Sequence, residues 1–192
     1  MCIRDRRLLV LFFILVIFAG FPHVSILPGL VENVFGRSAA EVSELFVAAA
    51  LGALMASVAV VRFGDAPIAH GVYACMAVLF GLSLLVVGVA PDYPWALAGM
   101  FGVGAASGGF QTLNGAVIAR ETEAHYIGRV MSLALLAFAG FGLMALPYGI
   151  LADRVGERLT FMVMGSVVMA LSIYFSLQLF RVGAIGSRRG QG

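Results

Sequence analysis

The chain has 192 residues, of which 61% are hydrophobic and only 11% charged. A soluble domain carries about 25% charged residues, so a water-soluble core is excluded and lipid is the expected solvent. All 12 basic residues are arginines, set singly or in short groups between apolar runs, and a net charge of +2 offers no patch for nucleic acid.

Residues 1–7 (M-C-I-R-D-R-R) form a charged leader that reads as a non-native gene start. A signal peptide is excluded because the apolar run behind it is too long and lacks a small-residue cleavage site. The first span is expected at about 8–30. Its first half is uninterrupted apolar sequence, whereas Gly20, Pro22, His23, Ser25, Pro28 and Gly29 break up the second. Proline removes a backbone hydrogen bond and kinks a helix, which lipid tolerates only where neighbouring groups re-satisfy the backbone.

Residues 31–41 form a polar connection, and Ser38 with Glu41 is a capping-box pattern that starts the next helix. Further spans are expected at about 42–61, 68–90, 96–119, 130–152 and 159–180. R-F-G-D-A-P at 62–67 is a turn, P-D-Y-P-W at 91–95 a helix break with interfacial aromatics, and 182–192 a cytoplasmic tail. About 20 apolar residues at about 1.5 Å each cross a hydrocarbon core of roughly 30 Å. The expected fold class is all-α: a polytopic membrane protein whose bundle, residues 8–181, has six transmembrane helices.

An even number of spans places both termini on one side of the membrane. That side receives Arg4, Arg6, Arg7, Arg62, Arg120, Arg129, Arg181, Arg188 and Arg189, against Arg37, Arg154 and Arg158 on the other. The positive-inside rule then makes both termini cytoplasmic, with or without the leader.

No enzyme motif is present: there is no G-x-S-x-G, no H-E-x-x-H, no phosphate loop and no spaced Cys/His set. No catalytic residue, cofactor or metal is therefore expected, and Cys2 with Cys75 makes no disulfide framework. Ser107, Gln111 and Asn114 fall at i, i+4 and i+7, on one face of the fourth span. They are either hydrogen-bonded glue between helices or the lining of a substrate path. Gly104 and Gly108 stand in G-x-x-x-G register and read as small-residue packing.

His23, in the broken second half of the first span, is either a hydrogen-bonded structural residue or a titrating group in a proton-coupled cycle. No Asp or Glu lies deep in any span. Asp153 and Arg154, in G-I-L-A-D-R-V-G-E-R, either hold two helix ends together electrostatically or belong to a plain capped turn. In the first case Gly149 and Gly156 would allow close backbone approach. Arg129 is expected to pair with Glu121 or Glu123 in the loop before the fifth span.

Three segments carry a likeness to a known family. They are Q-T-L-N-G-A-V-I-A-R-E-T-E after the Gly-rich fourth span, I-G-R-V-M-S-L opening the fifth, and P-Y-G-I-L-A-D-R-V-G ending it. In this order they resemble the C-terminal half of a major facilitator superfamily transporter, of the drug and siderophore (enterobactin-type) exporter branch, over residues 8–181. The resemblance implies half of a twelve-helix transporter in the bacterial cytoplasmic membrane, working by alternating access.

It further implies proton-coupled efflux of small amphipathic molecules. The implied partners are the lipid bilayer, the small-molecule substrate and a missing N-terminal six-helix half or a second copy. One departure is plain. The superfamily's G-x-L-A-D-R-x-G-R-R loop joins the second and third helices of a half, on the cytoplasmic side. Here L-A-D-R-V-G follows the fifth span on the opposite side, and the 62–71 loop keeps only Gly64 and Asp65 of that pattern. The rival expectation is a self-contained six-helix membrane protein that assembles as a homodimer, with or without transport.

Overall fold

The computed structural model describes residues 3–61, 69–121 and 127–189. Among them the chain is helical, with no strand. The first rod is broken: α1 (Ile3–Gly20) stops at Phe21 and Pro22, α2 (His23–Gly29) resumes, and a π turn (Leu30–Val34) extends it. Pro22 has no N–H to continue the ladder, which accounts for the break at that place. Pro28, by contrast, sits inside α2, and the helix widens into the π turn directly after it.

Residues 31–34, expected in the connection, thus continue the rod, and Leu30 and Val31 are fully buried. The rod ends at Gly36, whose φ of +63° turns the chain so that the Arg37 N–H reaches the Val31 carbonyl at 3.1 Å. This closure spans six residues, one more than the usual Schellman bond, and satisfies an otherwise orphaned carbonyl.

A 3-10 turn (Ala39–Glu41) leads into α3 (Val42–Val60), and the Glu41 carboxylate accepts the Ser38 backbone N–H at 2.9 Å, one arm of a capping box. Then follow α4 (Ala69–Val89), α5 (Tyr93–Glu121), α6 (Ile127–Val155) and α7 (Glu157–Arg189). The backbone of α7 stays helical to Arg189, so the expected tail is not separate from it.

Among the described residues five helices are long and apolar enough to cross a membrane: Val10–Val34, Val42–Val60, Gly71–Val89, Leu135–Val155 and Glu157–Gln178. The molecule accordingly has the character of a membrane-embedded, polytopic helical protein. The sixth long helix, α5, has the length at 29 residues, but Gly, Ser107, Gln111, Thr112 and Asn114 dilute its apolar run.

Helix pairing follows side-chain size. α3 packs along α5, α4 along both α5 and α7, and α1 along α6 and α7. On α5, Gly104 and Gly108 meet Ala49 and Ala53 of α3 so closely that a Cβ on Gly104 would overlap the Ala49 carbonyl oxygen. Where α4 crosses α7, a Cβ on Gly165 would stand 2.7 Å from the Gly81 carbonyl oxygen. Small residues let backbones approach in this way, and in lipid that packing is a main source of helix association. The α1–α6 seam is filled instead by rings, with Phe13 and Phe21 edge-on to Phe138 at 5.9 and 5.5 Å.

These pairings have a hidden order. Exchange the first rod with α5, α3 with α6, and α4 with α7. The α3–α5 seam becomes α6–α1, the α4–α5 seam becomes α7–α1, and α4–α7 maps onto itself. The five most extensive packings are thus preserved by interchanging the first three helices with the last three. Among the described residues the lesser contacts of α6 on α7, α1 on α4 and α5 on α6 have no counterparts of like extent. Three is an odd number, so the second triplet runs through the bundle in the opposite sense to the first.

The buried centre is aromatic. Tyr73 and Phe110 stack at 4.6 Å with their planes 8° apart, and Phe12 meets both edge-on. The outer faces of α3 and α6 are apolar and open, with Leu54 64%, Met55 63%, Leu135 70% and Leu143 74% exposed. Water would not sustain faces of that kind, whereas lipid or another helical body would cover them.

Candidate functional site

Small residues bring α5 into close approach with its neighbours on two of its faces. One face, through Gly104, Gly108 and Thr112, lies on α3, where the Thr112 hydroxyl donates to Ser57 Oγ at 2.9 Å. A second, through Gly99, Gly102 and Gly109, lies on α4 against Val87, Ser83 and Met76. The third carries Met100, Val103, Ser107, Gln111 and Asn114. Met100 and Val103 are fully buried, Asn114 is buried, and Ser107 and Gln111 are half-buried, so this face opens toward its middle.

The three polar residues are not equivalent. Asn114 accepts a hydrogen bond at 3.1 Å from the Tyr73 hydroxyl, whose ring is held by the stack on Phe110. Ser107 turns its hydroxyl back to the Gly104 carbonyl at 3.3 Å. The Gln111 amide has no hydrogen-bond partner among the described residues. Asn114 thus has the features of interhelical glue, whereas Gln111 keeps its donors and acceptor for something else.

Stranding the Tyr73 hydroxyl in the core has a calculable cost. Asn114→Leu is expected to destabilise the protein by about 1–3 kcal/mol, the penalty of an unsatisfied buried donor. Adding Tyr73→Phe should recover most of that loss in thermal unfolding. An undiminished loss in the double variant would mean the bond carries no energy.

His23 begins α2 at the break in the first rod, and it is 5% exposed. Its Nδ1 lies 2.7 Å from the Gly20 carbonyl oxygen, which can only accept, so Nδ1 bears the proton. The Val24 N–H, the usual partner of that carbonyl, is turned to Phe21 instead. His23 therefore satisfies a backbone group freed by the break, with Phe21, Phe80 and Phe161 packed around its ring. It does not meet the polar face of α5: its ring contacts and its hydrogen bond are all with other groups.

Asp153 and Arg154 are both exposed at the end of α6 and form no ion pair with each other. Gly149 and Gly156 permit no close approach either, because a Cβ on either one would meet open space. Gly156 is needed for its φ of +90°, and its N–H and carbonyl bond Ala152 and Thr160 across the turn. The geometry is that of the plain capped turn, the second of the two alternatives at this place. Asp65 lies outside the described residues, as do the side chains of Glu121 and Arg129 and hence their expected pairing.

A second polar cluster was not foreseen. Arg37 pairs with Glu41 at 2.6 Å, and its guanidinium lies 4.2 Å from the centre of the Tyr93 ring. The single proton of the Tyr93 hydroxyl is shared between the Glu41 carbonyl oxygen at 2.7 Å and Glu44 Oε2 at 3.0 Å. Burial opposes ionisation of Glu41, yet Arg37 and the Ser38 N–H together outweigh it and hold the carboxyl below its ordinary value. Burial, aided by the Glu44 carboxylate, pushes the Tyr93 phenol up to about 12. Tyr93 stands in the P-D-Y-P-W break and Arg37 in the first connection, and their meeting had no sequence signal.

Among the described residues no group of His, Cys, Asp and Glu is placed to hold a metal. Comparison with known protein families, curated proteins and solved structures finds no match for this chain.

Proposed function

We propose that the chain is a six-helix transporter half of the major facilitator type, with α5 as the fourth of its six spans and with the substrate path along the Ser107–Gln111 face. In this reading both termini are cytoplasmic, and small amphipathic molecules leave the cell by alternating access. The observation that carries it is the interchangeable packing of the two helix triplets, oppositely oriented and swapped in partners. Inverted three-helix repeats within a six-helix half are the architectural hallmark of that type.

The polar middle of α5 supports the same reading. An amide at membrane depth without an internal partner is costly unless water, substrate or another helical body meets it. Gln111 is in that position, whereas Asn114 and Ser107 spend their polar atoms internally. The ion that drives transport would be handled elsewhere, since the carboxylates of the chain cluster at helix ends and in connections.

The test is Gln111→Leu in a transport-competent assembly. Folding should be unchanged, because the amide makes no bond within the described bundle. Transport of a bound amphipathic substrate should fall about tenfold, the worth of one lost polar contact. Unaltered transport would remove the substrate-path reading of this face.

A further inference from the structure

The cluster around Tyr93 joins parts of the molecule that are far apart in sequence. Asn33, Phe35, Arg37, Glu41 and Glu44 belong to the first helix triplet or its connections. Tyr93, Glu157 and Arg158 belong to the second. We propose that Arg37, Tyr93 and Glu44 form a cross-triplet clasp that binds the two triplets into one rigid body at this end of the bundle.

Nearly every contact in the cluster crosses that divide. The Tyr93 hydroxyl bridges the Glu41 carbonyl and the Glu44 carboxylate, and the Arg37 guanidinium covers the other side of the ring. Phe35 meets the Tyr93 ring edge-on at 6.1 Å, and the Arg158 guanidinium lies 5.8 Å from the Phe35 ring. The Asn33 amide donates to Glu157 Oε1 at 2.5 Å, so the end of the first rod is tied to the first turn of α7. A continuous set of contacts therefore runs from the start of α3 through Tyr93 and Phe35 to the start of α7.

Magnitudes decide which contact matters. The Arg37–Glu41 pair has side chains 42% and 28% exposed, and an ion pair that open contributes little. Tyr93 is only 5% exposed and its hydroxyl bonds a carboxylate, which is the stronger class of hydrogen bond. Its phenol keeps its proton throughout the physiological range, so the donor is always present. The Tyr93 hydroxyl is thus the pin of the clasp, and Arg37 and Phe35 hold its ring in place. None of this depends on whether the chain transports anything.

Hydrogen–deuterium exchange of the whole chain in detergent or nanodiscs tests the clasp. Tyr93→Phe keeps the ring, the guanidinium contact and the edge-on contact with Phe35, and removes only the hydroxyl. Exchange should accelerate about tenfold in residues 42–48 of α3. It should also accelerate in residues 157–164 of α7, to which the described hydrogen bonds and ring contacts of Tyr93 do not extend.

Glu44→Gln added to Tyr93→Phe should produce no further acceleration, since the bond they share is already gone. Trp95→Phe, in the same helical turn but 60% exposed, should leave both segments unchanged. Acceleration confined to residues 42–48, an additive double variant, or an equal effect from Trp95→Phe would each reduce the cluster to local packing. No acceleration from Tyr93→Phe would overturn the clasp outright.

Discussion

Gly104→Leu is expected to yield no folded protein that survives purification in mild detergent, whereas Gly142→Ala should be at least as stable as the wild type. The two glycines lie in helices of equal length but in opposite surroundings. A Cβ at Gly104 would overlap the carbonyl oxygen of Ala49, and a Cβ at Gly108 one turn on would stand 2.7 Å from the Ala53 Cα. The obstacle is backbone, which cannot rotate aside as a side chain can.

Gly104→Ala alone should cost about 1–3 kcal/mol by overpacking. For a chain of this size that corresponds to roughly 2–12 °C in the unfolding midpoint. Leucine has to push α3 and α5 apart along the whole seam, the Thr112–Ser57 hydrogen bond included. At Gly142 nothing lies within 4 Å of the added carbon, and alanine gains up to about 1 kcal/mol of helix propensity. Size-exclusion profiles and thermal unfolding read both signs. Equal tolerance at the two positions would mean that α3 and α5 do not meet as described.

The second large effect is an absence of transport. The purified 192-residue chain alone, reconstituted into liposomes with an imposed proton gradient, is expected to give no saturable, gradient-driven flux above protein-free vesicles. Co-reconstitution with a complementary six-helix half should restore it. The reason lies in what the bundle leaves open. The middle of the α5 polar face is only half covered at Ser107 and Gln111, and the outer faces of α3 and α6 are apolar and exposed.

On the proposed reading, a substrate site between two such bodies would have only one of its walls here. Glu32, Glu41, Glu44, Asp92, Asp153 and Glu157 all stand at one end of the bundle, away from the middle of α5. On the proposed reading, a coupling group at mid-membrane depth would have to come from the partner body. Saturable, gradient-driven flux by this chain alone would reverse the conclusion and favour a homodimer of six-helix subunits.

The apolar length of most helices, the break in the first rod and the start of α3 were legible in the sequence. Each of these depends on residues close together: a charge-free run, a proline without an N–H, a serine three residues before a glutamate. α5 was legible by its flanking turns, although its glycines and amides dilute the apolar signal on which such readings rely. The Ser107, Gln111, Asn114 face was legible as a face because helical spacing is local. Its division into a bonded Asn114 and an unbonded Gln111 was not, because that depends on where Tyr73 of α4 comes to lie.

Which helices pair was decided by the tertiary structure alone. In lipid the apolar side chain of a helix–helix seam and that of a lipid-facing surface have nearly the same transfer energy, so hydropathy cannot separate them. Close approach separates them instead, through Gly104 on Ala49 and Gly165 on Gly81. Between the two readings of His23 the tertiary structure likewise favoured the hydrogen-bonded one. Its sequence signal was a titratable ring within a span, while the fold gave it a backbone carbonyl that the Pro22 break had freed. Solvent and chain chemistry determined that this protein is a set of apolar helices, and the shape of their small-residue faces decided how those helices meet.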